Sequence, residues 1–238
     1  MLRLGLLRCD EVSDQRLKRF GGYQRLFKDL LQTTSREICL TDYDVAANVL
    51  PSSSEEQDGW IISGAVSAAY DRDPWIDALL NIIRDLHITK ARMIGICFGH
   101  QAIAQALGGQ VHHSGFWGIG VRRAKVINPS VAMEPVRRGF GIAYCHQDQV
   151  TSLPPEARLT SSTAHCRVAS FAIQDHIVGI QGHPEFHADF ARDLYSSRLA
   201  DVGHKAVAEA ISTLEKDTDQ AAVAEWMLRT LADKPLPS

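Results

Sequence analysis

Met93-Ile94-Gly95-Ile96-Cys97-Phe98-Gly99-His100-Gln101, continuing through residues 102–109, is the stretch on which the fold turns. A short apolar run ends in Gly-x-Cys-x-Gly, and helix-forming residues begin at once. The pattern predicts a strand that enters a helix through a sharp elbow, with Cys97 at the bend. Small residues at 95 and 99 let strand and helix approach without a clash. A side chain on such an elbow is held above the sheet edge and open to a substrate. The start of a helix favours negative charge, which raises the thiolate fraction of a cysteine placed there. The N–H of Phe98 then points to where a tetrahedral oxyanion forms. Taken alone, a cysteine between strand and helix is equally compatible with a small buried hydrophobe, the ordinary state of a free thiol.

A second motif shifts that balance. Gly179-Ile180-Gln181-Gly182-His183-Pro184-Glu185-Phe186 again reads as a strand end followed by a helix start. A thiol nucleophile needs a base, and the base needs an acceptor to orient it. His183 and Glu185 flank Pro184, whose fixed φ limits how the pair can be arranged. The spacing predicts that His183 faces Cys97 while Glu185 supports its far nitrogen.

Outward from these motifs, apolar runs at 2–7, 37–40, 60–63 and 92–97 alternate with helical spacing at Tyr23, Leu26, Phe27, Leu30 and Leu31 and over 75–86. Such alternation predicts βαβ units and a mostly parallel sheet covered on both faces. After Gly109 the texture changes to strand-like runs at 121–127, 141–145, 158–162, 168–173 and 177–181, which predict antiparallel pairs. Residues 51–58 and 128–135 read as irregular surface connections. From Phe186 onward helices are expected at 188–199, 205–214 and 221–231, ended by Pro235 and Pro237. Val223, Trp226, Met227 and Leu231 share one face of the last helix. That face either packs on the domain or forms a homodimer contact, since Trp and Met favour interface cores.

The chain has 238 residues, 45% of them hydrophobic and 22% charged, enough for one α/β domain with an appendage or two very small domains. With 25 Lys and Arg against 28 Asp and Glu, and no basic run, nucleic acid and anionic membrane are not expected as partners. No apolar stretch approaches the roughly 20 residues a membrane helix needs. Five scattered cysteines without a CxxC pair fit a reducing, cytoplasmic setting. His112-His113, Cys145-His146 and His165-Cys166 match no compact zinc spacing, so no metal is expected. Trp117-Gly118-Ile119-Gly120 lacks a phosphate-loop fingerprint and reads as a turn beside the reaction centre. Asp71, Asp73 and Asp77 read as charges at a helix N-terminus, with Asp73 as N-cap before Pro74.

Gly-x-Cys-x-Gly-x-Gln followed about 80 residues later by Gly-His-Pro-Glu resembles the class I (triad) glutamine amidotransferases, over residues 1–198. Within that family the chain is most similar to stand-alone proteins akin to the amidotransferase domain of GMP synthase, with plant γ-glutamyl peptidases nearby. The resemblance implies a flavodoxin-like α/β fold: a mostly parallel central sheet with helices on both faces, and residues 199–238 as a C-terminal helical extension packed on it. Cys97 would be the nucleophile, His183 the acid/base and Glu185 the third triad member. Gly64 and Ala65 fall where the family has a Gly-Gly or Gly-x pair, so backbone N–H there would complete an oxyanion hole with Phe98. Ala65 departs from the commoner second Gly. Gln101 matches a glutamine-contacting position. Cys145-His146-Gln147-Asp148 matches a substrate-pocket segment in which Ser-His is more usual.

The implied activity is hydrolysis of the γ-amide of glutamine through a Cys97 thioester, without a cofactor, releasing ammonia to a separate acceptor or synthetase subunit. A stand-alone γ-glutamyl peptidase or amide hydrolase is the alternative. A non-catalytic regulatory protein is the third reading, and the complete Cys97, His183 and Glu185 set argues against it.

Overall fold

The computed structural model describes residues 1–232, so Pro235 and Pro237 lie outside the described residues. The chain opens with β1 (Leu2–Arg8), α1 (Asp14–Phe20), α2 (Tyr23–Leu31), β2 (Ile38–Asp44) and β3 (Gly59–Ile62). Then come α3 (Pro74–Ile88), β4 (Met93–Ile96), α4 (Phe98–Ala106), β5 (Gln110–Val126), β6 (Gly139–Ser152), β7 (Ala157–Ser162), β8 (Ser170–Ile173) and β9 (Ile177–Ile180). The C-terminal part holds α5 (Ala188–Ser197), α6 (Leu199–Val202), α7 (His204–Ser212), a short 3₁₀ turn at Thr213–Glu215 and α8 (Gln220–Leu231).

The nine strands among the described residues form one sheet in the order β2-β1-β3-β4-β9-β8-β7-β5-β6. The run from β2 to β9 is parallel, and every pair beyond β9 is antiparallel. Side chains alternate across a strand, and here the alternation feeds two cores. Leu4, Leu6, Ile61, Ile94 and Ile96 pack on one face with α2 and α8. Leu7, Trp60, Ile62 and Met93 pack on the other with α3 and α4. The mostly parallel sheet expected from the alternating pattern, and the flavodoxin-like arrangement that the resemblance implies, are thus present, with helices on both faces.

Two local expectations need correction, and one helix was not expected. Residues 117–120 are not a turn: they lie inside β5, which starts at Gln110 rather than at 121. The glycines there serve close packing. A Cβ on Gly118 would lie 2.5 Å from His146 Nε2, and Gly120, at φ +101, brings backbone to within contact of α7. Helix α1, which buries none of its residues, carries no apolar stripe and escaped the sequence reading. Asp73 does occupy the N-cap of α3, but its side chain makes no capping hydrogen bond; Asp71 instead accepts from Ala68 N–H at 2.8 Å.

Val223, Trp226, Met227 and Leu231 of α8 are buried within the chain, against the sheet and α2. That face packs inside the protein rather than standing free for a second copy. Among the described residues no helix is long and apolar enough to cross a membrane.

Candidate active site

Cys97 stands between β4 and α4 at φ 52, ψ −102. A non-glycine residue in that region is strained, and such strain persists only where its surroundings enforce it. The surroundings do so from three sides. Cys97 N–H donates to Ile180 of β9 at 2.9 Å, and Gly99 N–H donates to Ser63, just past β3, at 3.1 Å. Gln101 N–H closes the first helical bond onto the Cys97 carbonyl at 3.1 Å. The flanking glycines are steric necessities: a Cβ on Gly95 would lie 2.4 Å from Gly99 backbone, and one on Gly99 would lie 2.4 Å from the Ile62 carbonyl.

The second motif leaves β9 and arrives beside this elbow, because β4 and β9 are neighbouring parallel strands. His183 N–H bonds the Ala143 carbonyl of β6 at 2.7 Å, which ties the turn to the antiparallel half of the sheet. Phe186 stacks on the imidazole at 3.9 Å with an interplanar angle of 5°. His183 Nδ1 donates to Glu185 Oε1 at 2.8 Å, and both side chains are buried. Burial opposes a charge on His183, but the adjacent Cys97 sulfur and the Glu185 carboxylate outweigh it and push the imidazole up to about 10. Beside these two groups the charged form of His183 is favoured.

The remaining expected residues gather around the same point. Gly64 lies against the pair: a Cβ there would be 3.1 Å from His183 Cε1 and 3.7 Å from Cys97 Cβ. Among the described residues, the N–H groups of Gly64, Ala65 and Phe98 meet no acceptor. Gln101 donates to the Asp148 carbonyl at 2.8 Å and to Gln181 Oε1 at 3.1 Å, while Gln181 donates to Cys97 Sγ at 3.6 Å. His146 Nδ1 donates to the Asp148 carbonyl at 3.0 Å, and burial pushes its pKa down to about 3. That imidazole is neutral. Cys97, His183, Ala65, Gln101, His146, Gln147 and Asp148 all line one cleft of about 450 Å³; Glu185 sits behind His183, and Phe98 is buried beneath the elbow.

Several cleft residues were not found in the sequence. Tyr23, at the start of α2, and Trp117, of β5, form apolar walls, and Arg198, between α5 and α6, closes the far end. The Arg198 guanidinium lies 5.4 Å over the Trp117 ring and 3.7 Å from Asp201, with its Nε buried without a hydrogen-bond partner. Gln181 was in plain view, two positions before His183, with no signal for its role. Gln220, the first residue of α8, donates to the carbonyls of Pro184 and Phe186 at 2.7 and 2.8 Å and so braces the His183 turn. Among the described residues no group of three or more His, Cys, Asp or Glu is arranged to hold a metal ion.

Residues 21–196 match the family model for glutamine amidotransferase class-I. Gamma-glutamyl peptidase 4 of Arabidopsis thaliana is 32% identical over 191 residues, which cover 77% of this chain and 75% of that protein. A GMP synthase [glutamine-hydrolyzing] of Petrotoga mobilis is 32% identical over 140 residues, 57% of this chain but 26% of the relative. Among solved structures, a glutamine amidotransferase from Thermotoga maritima superposes with a TM-score of 0.75 at 18% identity, covering 97% of this chain and 96% of the other; at that identity the likeness shows the fold.

Proposed function

The chain belongs to the class-I glutamine amidotransferase family, and from that premise we propose that it is a free-standing hydrolase of γ-glutamyl amide bonds, with Cys97 as nucleophile. The observation that carries the reading is the strained elbow that presents Cys97 to a His183 whose far nitrogen is bonded to a buried Glu185. The thiolate attacks the γ-carbonyl carbon, and the carbonyl electron pair moves onto oxygen, facing the N–H groups of Ala65 and Phe98. Collapse breaks the C–N bond as the imidazolium of His183 gives its proton to the departing amine. Water then attacks the thioester, His183 takes the water's proton, and glutamate leaves as Cys97 is restored. Glu185 holds the imidazole oriented and stabilises its charge throughout. Gln101, His146, Gln147 and Asp148 line the wall along which the glutamyl group would lie.

Two observations favour a peptide or other large amide over glutamine alone. The cleft extends beyond the elbow to Trp117 and Arg198, space that an ammonia leaving group does not need. The Arg198 guanidinium, which lines that end of the cleft, fits a carboxylate on the leaving group. The names of the Arabidopsis relatives point the same way. Five free thiols fit a reducing compartment such as the cytoplasm. The second reading, a glutaminase that supplies ammonia to a separate synthetase, is favoured by the match to the GMP synthase segment.

Steady-state turnover of glutamine and γ-glutamyl dipeptides by the isolated protein decides between them. A kcat/KM of about 10⁴ M⁻¹s⁻¹ or more on a dipeptide, the usual range for a competent enzyme, supports the free hydrolase. Slow turnover of every candidate, rescued by an added ATP-dependent synthetase, overturns it in favour of the subunit.

A further inference from the structure

The loop that follows β3 carries Ala65, whose N–H faces the oxyanion together with that of Phe98 in the proposed mechanism, and its orientation is set by bonds within this chain. Ser63 is fully buried and makes four connections. Its N–H donates to the Leu7 carbonyl at 3.1 Å, and its carbonyl accepts from Gly99 N–H of the cysteine elbow at 3.1 Å. Its hydroxyl oxygen accepts from Cys9 N–H at 2.9 Å and donates to the Gly64 carbonyl at 2.9 Å. The last bond matters most. The Gly64–Ala65 peptide is trans, so its C=O and N–H point in opposite directions. Drawing the Gly64 carbonyl toward the buried Ser63 hydroxyl therefore turns Ala65 N–H away from Ser63, in a loop whose Gly64 lies against Cys97 and His183 and whose Ala65 lines the cleft.

The next peptide is pinned as well. Asp10, just beyond β1, accepts from Val66 N–H through Oδ2 at 3.0 Å, while its Oδ1 accepts from Glu11 N–H at 2.8 Å. Asp71 accepts from Ala68 N–H at 2.8 Å farther along. Both peptides flanking Ala65 are thus held, one by a buried hydroxyl and one by a half-buried carboxylate. A peptide flip at Gly64–Ala65 would break the Ser63 bond and leave a buried hydroxyl without its acceptor, which is costly.

We propose that Ser63 and Asp10 are positioning residues that hold Ala65 N–H in an oxyanion-binding orientation from within the chain, so that the site is assembled without a partner protein. The inference rests on the hydrolase reading above and adds to it the residues that make a partner unnecessary. Neither residue touches the substrate; both act through the Ala65 backbone.

The test uses the full-length protein with a γ-glutamyl dipeptide, comparing Ser63→Ala, Asp10→Ala, Asp10→Asn and Cys97→Ala. Two quantities are measured: the split between kcat and KM, and the rate at which iodoacetamide alkylates Cys97. Alkylation is a direct displacement that forms no oxyanion, so it reports on the thiolate and its exposure alone. Misaiming one oxyanion donor is expected to lower kcat by about 10- to 100-fold in Ser63→Ala, somewhat less than outright removal of a donor. Asp10→Ala should lose about tenfold. KM and alkylation should stay near wild type in both. Asp10→Asn keeps an oxygen acceptor for Val66 N–H and should recover most of the loss. Wild-type kcat in both Ser63→Ala and Asp10→Ala overturns the proposal, as does a parallel fall of kcat and alkylation, which marks a general structural role. Asp10 is only half-buried, so its variants carry the test even where Ser63→Ala fails to fold. Activity that survives in Cys97→Ala overturns the hydrolase reading itself, a result separate from either outcome at Ser63 and Asp10.

Discussion

The cleft has two walls, and each presents a cysteine and a histidine. One wall is the carboxyl edge of the parallel strands, with Cys97 after β4 and His183 after β9; the other is the antiparallel ribbon of β5 and β6, with Cys145 and His146. Both histidines are buried and both donate through Nδ1. Their acceptors differ. Behind His183 stands the Glu185 carboxylate and beside it Cys97, and its pKa rises to about 10; behind His146 stands a backbone carbonyl, and burial takes its pKa down to about 3. Cys145 lies in a regular strand, and burial pushes its thiol up to about 12. Residue type alone does not make a reactive pair. What sets Cys97 and His183 apart is a formal charge behind the imidazole and a helix start behind the thiol.

The strongest way to break this comparison is to remove the two nucleophile candidates in turn. Cys97→Ala and His183→Ala should each lower kcat by about 10⁴-fold or more, whereas Cys145→Ala should change kcat/KM by less than about tenfold, measured on the same γ-glutamyl dipeptide. Comparable losses at Cys97 and Cys145 would show that the two walls share the chemistry. Glu185→Gln keeps the shape and removes the charge. It should cost about 10²- to 10³-fold in kcat, less than His183→Ala, because Glu185 orients and stabilises rather than transferring the proton. Its alkaline limb should also move to lower pH, since Glu185 is one of the two groups that hold the proton on His183.

Thiol labelling sharpens the contrast without turnover. At neutral pH iodoacetamide should modify Cys97 about a hundredfold faster than Cys145 or Cys166, both of which burial pushes up to about 12. Equal labelling of the three would remove any special activation at the elbow.

The smallest effect is on stability, and its sign differs among the buried histidines. His146 and His100 are held neutral, with pKa values lowered by burial to about 3. The unfolded chain takes up their protons near pH 6.5 and the folded chain refuses them. Stability is therefore lost as pH falls from about 6.5 toward about 3, by at most about 1.4 kcal/mol per pH unit for each residue. His183 acts in the opposite direction: its contribution is complete below about pH 6.5 and is lost as pH rises toward about 10. Urea midpoints across pH 4 to 10 should show both limbs, with His183→Gln flattening the alkaline one alone.

Different features of the molecule were legible to different degrees. Gly95, Cys97 and Gly99 were readable because an elbow is a local backbone demand written in consecutive residues, and the same holds for His183-Pro184-Glu185. The parallel strands were readable because burial on both faces leaves short apolar runs between amphipathic helices, as at residues 93–96; residues 177–180, read among the antiparallel runs, pair antiparallel with β8 but parallel with β4. The ribbon of β5 and β6 was read short. Its outer part at His112, His113, Gly115 and Phe116 is exposed and carries no alternating apolar signal, and Gly118 and Gly120, which look like turn residues, are there to admit His146 and α7.

By itself, then, the sequence determined which cysteine, histidine and glutamate belong together, that each motif ends a strand, and that the sheet is mostly parallel. Each of these is a short-range steric or periodic requirement. Tertiary structure alone decided that β9 inserts beside β4 to bring His183 to Cys97, that Gln181 and Gln101 link the elbow to Asp148, and that Gln220 braces the His183 turn from the far end of the chain. It also decided that Arg198 and Trp117 meet at the end of the cleft and that Ser63 and Asp10 pin the peptides around Ala65. Those contacts join residues through strand order and hydrogen bonds to backbone, and neither leaves a period or a motif in the chain that a reader of the sequence could follow.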